Sequence, residues 1–293
     1  FEKEFAEHSY GFRPGRSCKD ALRRVQELLE EGYVWIVDAD LKSYFDTIPK
    51  DGLLEQIGEK IADRAILGLI GKFLDQHVMD GLERWQPETG TPQGAVISPL
   101  LSNIYLNPLD HLMANTGHRM IRYADDFIVM CRSREEAEEA LARVARWTQQ
   151  AGLTLHPQKT KLVDASQKGG FDFLGYHFER GMKWPRKKSM AKLKDTIRNK
   201  TPRTSGASME CIIGSLNKTL RGWFEYFQHS HARSTFPQVD GYVRGRLRSI
   251  LRKRHGGRGR GRGDDHHRWP NQFFATLGLF STAAAHTQAR QSY

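Results

Sequence analysis

Three acidic positions in this chain are spaced to do chemistry together. Asp125 and Asp126 are adjacent, within Met120-Ile121-Arg122-Tyr123-Ala124-Asp125-Asp126-Phe127-Ile128-Val129-Met130. Apolar, β-prone runs flank the pair, which predicts a tight hairpin with carboxylates at its tip. Neighbouring carboxylates repel and lose solvation between buried strands, so a cation is the usual compensation. Hard oxygen ligands of this kind suit Mg²⁺, which takes one or two carboxylates with phosphate oxygens. Taken alone, an Asp-Asp pair is also ordinary turn chemistry. The third position is Asp40. It closes Asp38-Ala39-Asp40, which follows the continuous apolar run Tyr33-Val34-Trp35-Ile36-Val37. Such a run fits a strand buried on both faces, and acids at a strand end are where an open sheet places its chemistry. A helix start capped by Asp is the alternative for this segment alone.

Other elements must hold these acids in place. Ser17 and Asp20 predict a capping box, opening a helix that Gly32 stops. Residues 50–77 read as one or two helices, and Met79 to Gln86 as a short hairpin. Gly90-Thr91-Pro92-Gln93-Gly94 reads as a rigid loop whose glycines allow close backbone approach. Ser98-Pro99 is expected to cap a helix over 99–114 that turns Leu100, Leu101, Ile104 and Tyr105 inward and bends at Pro108. Ser133 and Glu136 predict a second capping box, with a helix running to about Gln150. A turn at Pro157 and an alternating hairpin over 171–178 follow. Beyond Gly181 the composition changes: a basic stretch over 183–203, an aromatic-rich helix over 208–229 and a basic helix from Val243 to Arg254. The Arg-Gly tract 256–263 reads as flexible, and 269–280 returns to aromatic, apolar sequence.

The 293 residues suffice for one large domain or two ordinary ones. The net charge of +11 is unevenly spread: residues 181–293 carry +17 and residues 1–180 carry −6. This asymmetry points to a polyanionic partner for the second half. Cys18, Cys131 and Cys211 are far apart, with no CxxC and no His/Cys cluster at metal spacing. Neither a disulfide framework nor a zinc site is therefore expected, and a reducing compartment is the default. No apolar run reaches the roughly 20 residues of a membrane span, and no signal peptide is visible.

In combination the motifs resemble the palm of reverse transcriptases, above all those of group II introns (intron-encoded maturases). The stretches are Ser9–Ser17 (SYGFRPGRS), Asp38–Asp46 (DADLKSYFD), Gly90–Leu101 (GTPQGAVISPLL), Arg122–Phe127 (RYADDF), Leu155–Lys161 (LHPQKTK) and Phe173–Phe178 (FLGYHF). Leu220–Tyr226 and Trp269–Phe280 resemble the maturase-specific domain. The implied fold is α+β: a right-hand polymerase palm, an antiparallel sheet with flanking helices, behind partial fingers and before a mostly helical, basic thumb and maturase domain. The expected divisions are 1–32, 33–181 and 182–293.

The resemblance implies an RNA-directed DNA polymerase working with two Mg²⁺ ions, Mn²⁺ being a substitute. Asp40 and Asp125 would bridge the ions, with Asp126 assisting and the Leu41 carbonyl completing a shell; Asp38 competes with Asp40. Phe45 falls where the family rejects a ribose 2′-OH, although an ordinary core Phe is the alternative. Gln93, Gly94 and Lys159 fall at the nucleotide. Arg13 and Arg16 are expected at template phosphates, and Phe173, Gly175 and Tyr176 at the primer end. Arg221, Trp223, Arg258 and Arg260 are expected on RNA. The implied partners are group II intron RNA as template, a DNA primer and dNTPs, in a cytoplasmic or organellar ribonucleoprotein away from membranes. Only eight residues precede SYGFRP where family members carry more fingers sequence, so the expectation is an N-terminally truncated member: either a fragment of a longer unit or a chain whose fingers segment is supplied separately. An RNA-binding splicing cofactor without polymerase activity is the competing reading, and an RNA-dependent RNA polymerase a third. No DNA cleavage is expected, since no nuclease-like His/Cys cluster follows the maturase region.

Overall fold

The computed structural model describes residues 1–75, 78–80, 83–85, 89–91, 95–259 and 263–291, with the backbone alone for 78–80 and 83–85. Two compact units result: Phe1–Leu174 with Phe178–Gly181, and Gly175–His177 with Met182–Tyr293.

In the first unit, α1 (Cys18–Glu30) begins at the expected capping box. The Ser17 hydroxyl accepts the Asp20 N–H while the Asp20 carboxylate accepts the Ser17 N–H at 2.9 Å. Gly32 ends the helix at φ +91°. Then come β1 (Trp35–Ala39), α2 (Tyr44–Thr47), α3 (Lys50–Gly58), α4 (Arg64–Leu74), β2 (Val78–Asp80), β3 (Glu83–Trp85), α5 (Ser98–Asn115), β4 (Arg119–Tyr123), β5 (Asp126–Cys131), α6 (Arg134–Gln150) and β6 (Lys161–Asp164). The main sheet has the order β4-β5-β1-β6, and every pairing in it is antiparallel. β1 is therefore central, which accounts for its apolar run: Ile36, Val37 and Ala39 are all buried. α3, α5 and α6 supply Leu53, Ile57, Leu106, Leu109, Met113 and Val144 to the same core as Val37, Phe127 and Val129.

Several local expectations shift. α5 starts one residue early, with Ile97 rather than Ser98 at the cap position and no side-chain cap bond. Leu100 is exposed rather than inward, and the helix continues as one element through Pro108. At α6 the Ser133 hydroxyl accepts the Glu136 N–H, but the Glu136 carboxylate reaches one residue further back, to the Arg132 N–H at 2.8 Å.

Strands β7 (Phe171–Phe173), β8 (Tyr176–Glu179) and β9 (Met182–Pro185) follow in the chain. The second unit continues with α7 (Lys187–Lys200), α8 (Met209–Phe227), α9 (Thr235–Arg254), α10 (Asp265–Arg268), α11 (Asn271–Thr276) and α12 (Thr282–Gln291). Its core joins Ile197, Ile213, Leu216, Leu220, Val243, Leu247, Ile250 and Phe274. α9 begins well before the expected Val243. α12 is not foreseen at all, because its capping partner is not local. The Asp240 carboxylate of α9 accepts from Ser281 Oγ at 2.6 Å and Thr282 N at 2.9 Å, placing a negative charge at the start of α12. No helix among the described residues is long and apolar enough to cross a membrane.

Candidate active site

One end of the main sheet collects the acids. β4 and β5 are joined through Ala124 and Asp125, with Tyr123 opposite Asp126. Ala124 takes the left-handed conformation at φ +60° that so short a connection demands. In the β1–β5 register Ala39 lies opposite Phe127, so Asp40 continues one step to the level of Asp126. Asp125, half-buried in the turn, therefore meets Asp40 across the strand ends. Burial holds the Asp125 carboxyl above its ordinary range, and the Asp40 charge raises it further, against the turn's own backbone N–H and Arg122. Asp38 is also raised, by burial first; it stands beside Lys161 at 3.5 Å and also feels Asp172 and Asp40. Of the two acids on this strand end, it is Asp40 whose charge acts on Asp125.

The loop after α6 closes on Asp40. The His156 N–H donates to the Asp40 carbonyl at 2.7 Å, Leu155 bridges Leu41, and the Lys42 N–H donates to Thr154 O at 2.8 Å. This anchoring carries Lys159 to Asp40, where Nζ donates to Oδ2 at 2.8 Å. Lys159 thus stands as the ionic partner of Asp40 and not as an isolated cation. Half-exposed hard oxygens from two strands, repelling each other and already attracting one ammonium, fit a divalent cation of the Mg²⁺ type.

The turn is held from behind by a residue set that sequence reasoning missed. Arg122 is fully buried. Its Nε and Nη2 donate to Asp110 at 2.8 and 2.5 Å, while Nη1 donates to Asn103 Oδ1 at 2.8 Å and Ala124 O at 2.9 Å. Asn103 Nδ2 in turn donates to Gly11 O at 2.8 Å. Gly11 lies so close to the turn that a Cβ there would come within 2.2 Å of Ala124 N. The available signals were Arg122 beside the acidic pair and Asp110 inside an otherwise apolar helix.

Phe45 is half-buried, edge-on to Tyr44 with ring centres 5.4 Å apart. Gly90 and Thr91 fix its backbone: Gly90 N donates to Ile48 O at 2.8 Å and Thr91 N to Phe45 O at 2.7 Å. A Cβ on Gly90 would meet Phe45 O at 2.6 Å. Gln93 and Gly94, expected at the nucleotide, lie outside the described residues, as does Arg260.

The expected phosphate contact by Arg13 does not fit its position. The side chain is buried and donates to Glu2 Oε1 at 2.9 Å, Ser9 O at 2.9 Å and Ala6 O at 2.6 Å, clamping the N-terminal segment. Arg16 is half-buried, donates to Glu7 O, and lies over the Tyr10 ring. Phe173 and Tyr176 are likewise core side chains rather than open primer contacts. The Tyr176 hydroxyl donates to Tyr226 O at 2.6 Å, and burial raises its pKa well above the usual range. Gly175 turns at φ +83°, and its carbonyl accepts from Ser189 Oγ at 2.9 Å. In the second unit Arg221 is exposed over the Phe280 ring at 4.5 Å, Trp223 is half-buried against Phe227, and Arg258 is exposed. α7 exposes Lys187, Lys188, Lys192, Lys194 and Arg198.

Comparison with known proteins gives two family matches. Residues 1–178 match the family described as reverse transcriptase (RNA-dependent DNA polymerase), and residues 190–269 the group II intron, maturase-specific domain. The group II intron-encoded protein LtrA of Lactococcus lactis subsp. cremoris is 41% identical over 38% of this chain and 18% of its own length. Protein YkfC of Escherichia coli is 32% identical over 61% of this chain and 57% of its own. An uncharacterized 91 kDa protein in the cob intron of Schizosaccharomyces pombe is 27% identical over 80% of this chain and 40% of its own. The chain thus spans less than two thirds of the length of each of these relatives. The telomerase of Candida albicans, solved with a fragment of telomeric RNA, superposes with a TM-score of 0.51 at 11% identity, over 100% of this chain and 56% of that one, a likeness of fold alone.

Proposed function

Since this chain belongs to the reverse transcriptase family and carries a group II intron maturase-specific domain, we propose that it extends a DNA primer on an RNA template. The Asp40–Asp125 pair at one sheet end carries this proposal: burial and the Asp40 charge raise the proton affinity of Asp125, and a divalent cation between the two carboxylates would relieve the same repulsion. Asp40 and Asp125, with Asp126 and the Leu41 carbonyl, would hold two Mg²⁺ ions, or Mn²⁺ in their place. Bound there, the ions supply positive charge to the attacking 3′-oxygen and the departing pyrophosphate. The chain's own groups do the rest. Arg122 and Gly11 hold the turn rigid, so Asp125 enters the reaction without reorganisation. Lys159 balances the Asp40 charge and, being exposed, can reach a nucleotide phosphate. Phe45, braced by Gly90 and Thr91, closes the space beside a ribose C2′ and so selects dNTPs.

The second unit carries the charge for RNA. The exposed cations of α7 offer sequence-independent phosphate contacts, and Arg221 and Trp223 a surface for unpaired bases. Group II intron RNA is the proposed template and splicing partner.

Primer extension on an RNA template tests the polymerase. Asp40→Ala and Asp125→Ala should each abolish it, and Phe45→Ala should raise NTP incorporation relative to dNTP. Unchanged extension by both acidic variants would overturn the assignment. Intron binding and splicing that survive Asp125→Ala without any dNTP incorporation would establish the cofactor reading instead.

A further inference from the structure

At the opposite end of the β4–β5 hairpin a second set of side chains meets. His118 precedes β4, Cys131 ends β5, and Glu136 lies in the first turn of α6. Their donor atoms all lie within 4.8 Å of one another. His118 Nδ1 is 4.0 Å from Glu136 Oε1. The His118 ring is buried, and neither ring nitrogen has a hydrogen-bond partner among the described residues. Leaving a buried imidazole without a partner is costly, because each unmet ring nitrogen forfeits the hydrogen bond that water would give it. Cys131 is fully buried as a free thiol.

We propose that His118, Cys131 and Glu136 form a structural site for a transition-metal ion of the Zn²⁺ class, distinct from the carboxylate site at the turn. The donor chemistry selects the metal class. A thiolate with an imidazole and one carboxylate suits Zn²⁺ and its neighbours, whereas Mg²⁺ takes oxygen only. The spacing is near what is needed, since tetrahedral zinc bonds set donors roughly 3.3–3.7 Å apart. Small rotamer movements would close the difference. The supporting contact exists too: Glu136 Oε2 accepts the Arg132 N–H at 2.8 Å, leaving Oε1 facing His118. A cavity of about 180 Å³, lined in part by His8, Asp110, His118 and Arg119, adjoins the ring. Binding replaces the Cys131 thiol proton, which passes to solvent, and leaves the fourth position to water. The ion ties the base of the hairpin to the start of α6. It lies about five strand residues from the turn, roughly 17 Å at the usual rise, so its part is structural.

Co²⁺ titration of the metal-stripped chain tests the site, in a Cys18→Ser/Cys211→Ser background and with excess Mg²⁺ to fill carboxylate-only sites. One equivalent should produce the near-ultraviolet thiolate-to-cobalt charge-transfer band together with visible tetrahedral bands. Cys131→Ser should remove the charge-transfer band, and His118→Gln and Glu136→Gln should each weaken binding tenfold or more. Zn²⁺ should also raise the melting temperature of the parent, reversibly with a chelator, and not that of Glu136→Gln, a mild change on a half-exposed side chain. No thiolate band in the parent, a band that persists in Cys131→Ser, or equal affinity in all the variants would overturn the proposal.

Discussion

The two ends of the β4–β5 hairpin handle polar side chains in opposite ways. At the turn, Asp125 and Asp126 stay partly open to solvent, and Asp125 feels the charge of Asp40, so negative charge accumulates there. Behind that turn, Arg122 and Asp110 are both buried and fully paired. At the hairpin's base, His118 and Cys131 are buried while the His118 ring lacks hydrogen-bond partners among the described residues. Open carboxylates contribute little to stability and leave valence for a ligand. A buried, satisfied pair fixes geometry, and breaking one member costs far more than the pair contributes. The same hairpin thus separates the groups that act from those that hold.

Substitutions at the two kinds of position should break in different assays. Asp125→Ala is expected to lower primer extension by at least about 10³-fold, or about 4 kcal/mol of barrier, while chemical denaturation without divalent cations shows stability unchanged or slightly raised. A large loss of stability there would erase the distinction. Arg122→Met should act first on stability, costing about 3–5 kcal/mol by leaving Asp110 charged and buried. The double variant Arg122→Met/Asp110→Leu should recover most of that stability, but not full extension, because the Ala124 carbonyl loses its donor. Gly11→Ala forces the turn to move, since its Cβ would strike Ala124 N; overpacking of this kind costs about 1–3 kcal/mol. It should lower kcat with little change in template affinity. Smallest is Lys159→Ala. Its ion pair with Asp40 is mostly exposed, so unfolding should shift by less than about 1 kcal/mol, and any larger effect should be seen only in the KM for dNTP.

Much of the architecture could be read directly from the chain. The apolar run ending in Asp38-Ala39-Asp40, the flanked Asp125-Asp126 pair and the Ser17/Asp20 and Ser133 caps are local signals, set by side-chain period and by bonds spanning three or four residues. The order of these motifs was enough to indicate the family. Local pattern could not say which arginine points where. Arg13 and Arg122 look alike in sequence as loop and strand-end cations, yet one clamps the N-terminal segment and the other braces the turn, because their acceptors are carbonyls and carboxylates from other elements. α12 likewise depends on Asp240 some forty residues earlier.

His118, Cys131 and Glu136 make the same point most sharply. Their spacing matches no metal motif, and the sequence argued against a zinc site. Antiparallel pairing of β4 with β5, followed at once by α6, brings the three donors together. Chemistry carried by neighbouring residues is written in the sequence. Chemistry assembled across strand ends exists only once the sheet register has formed.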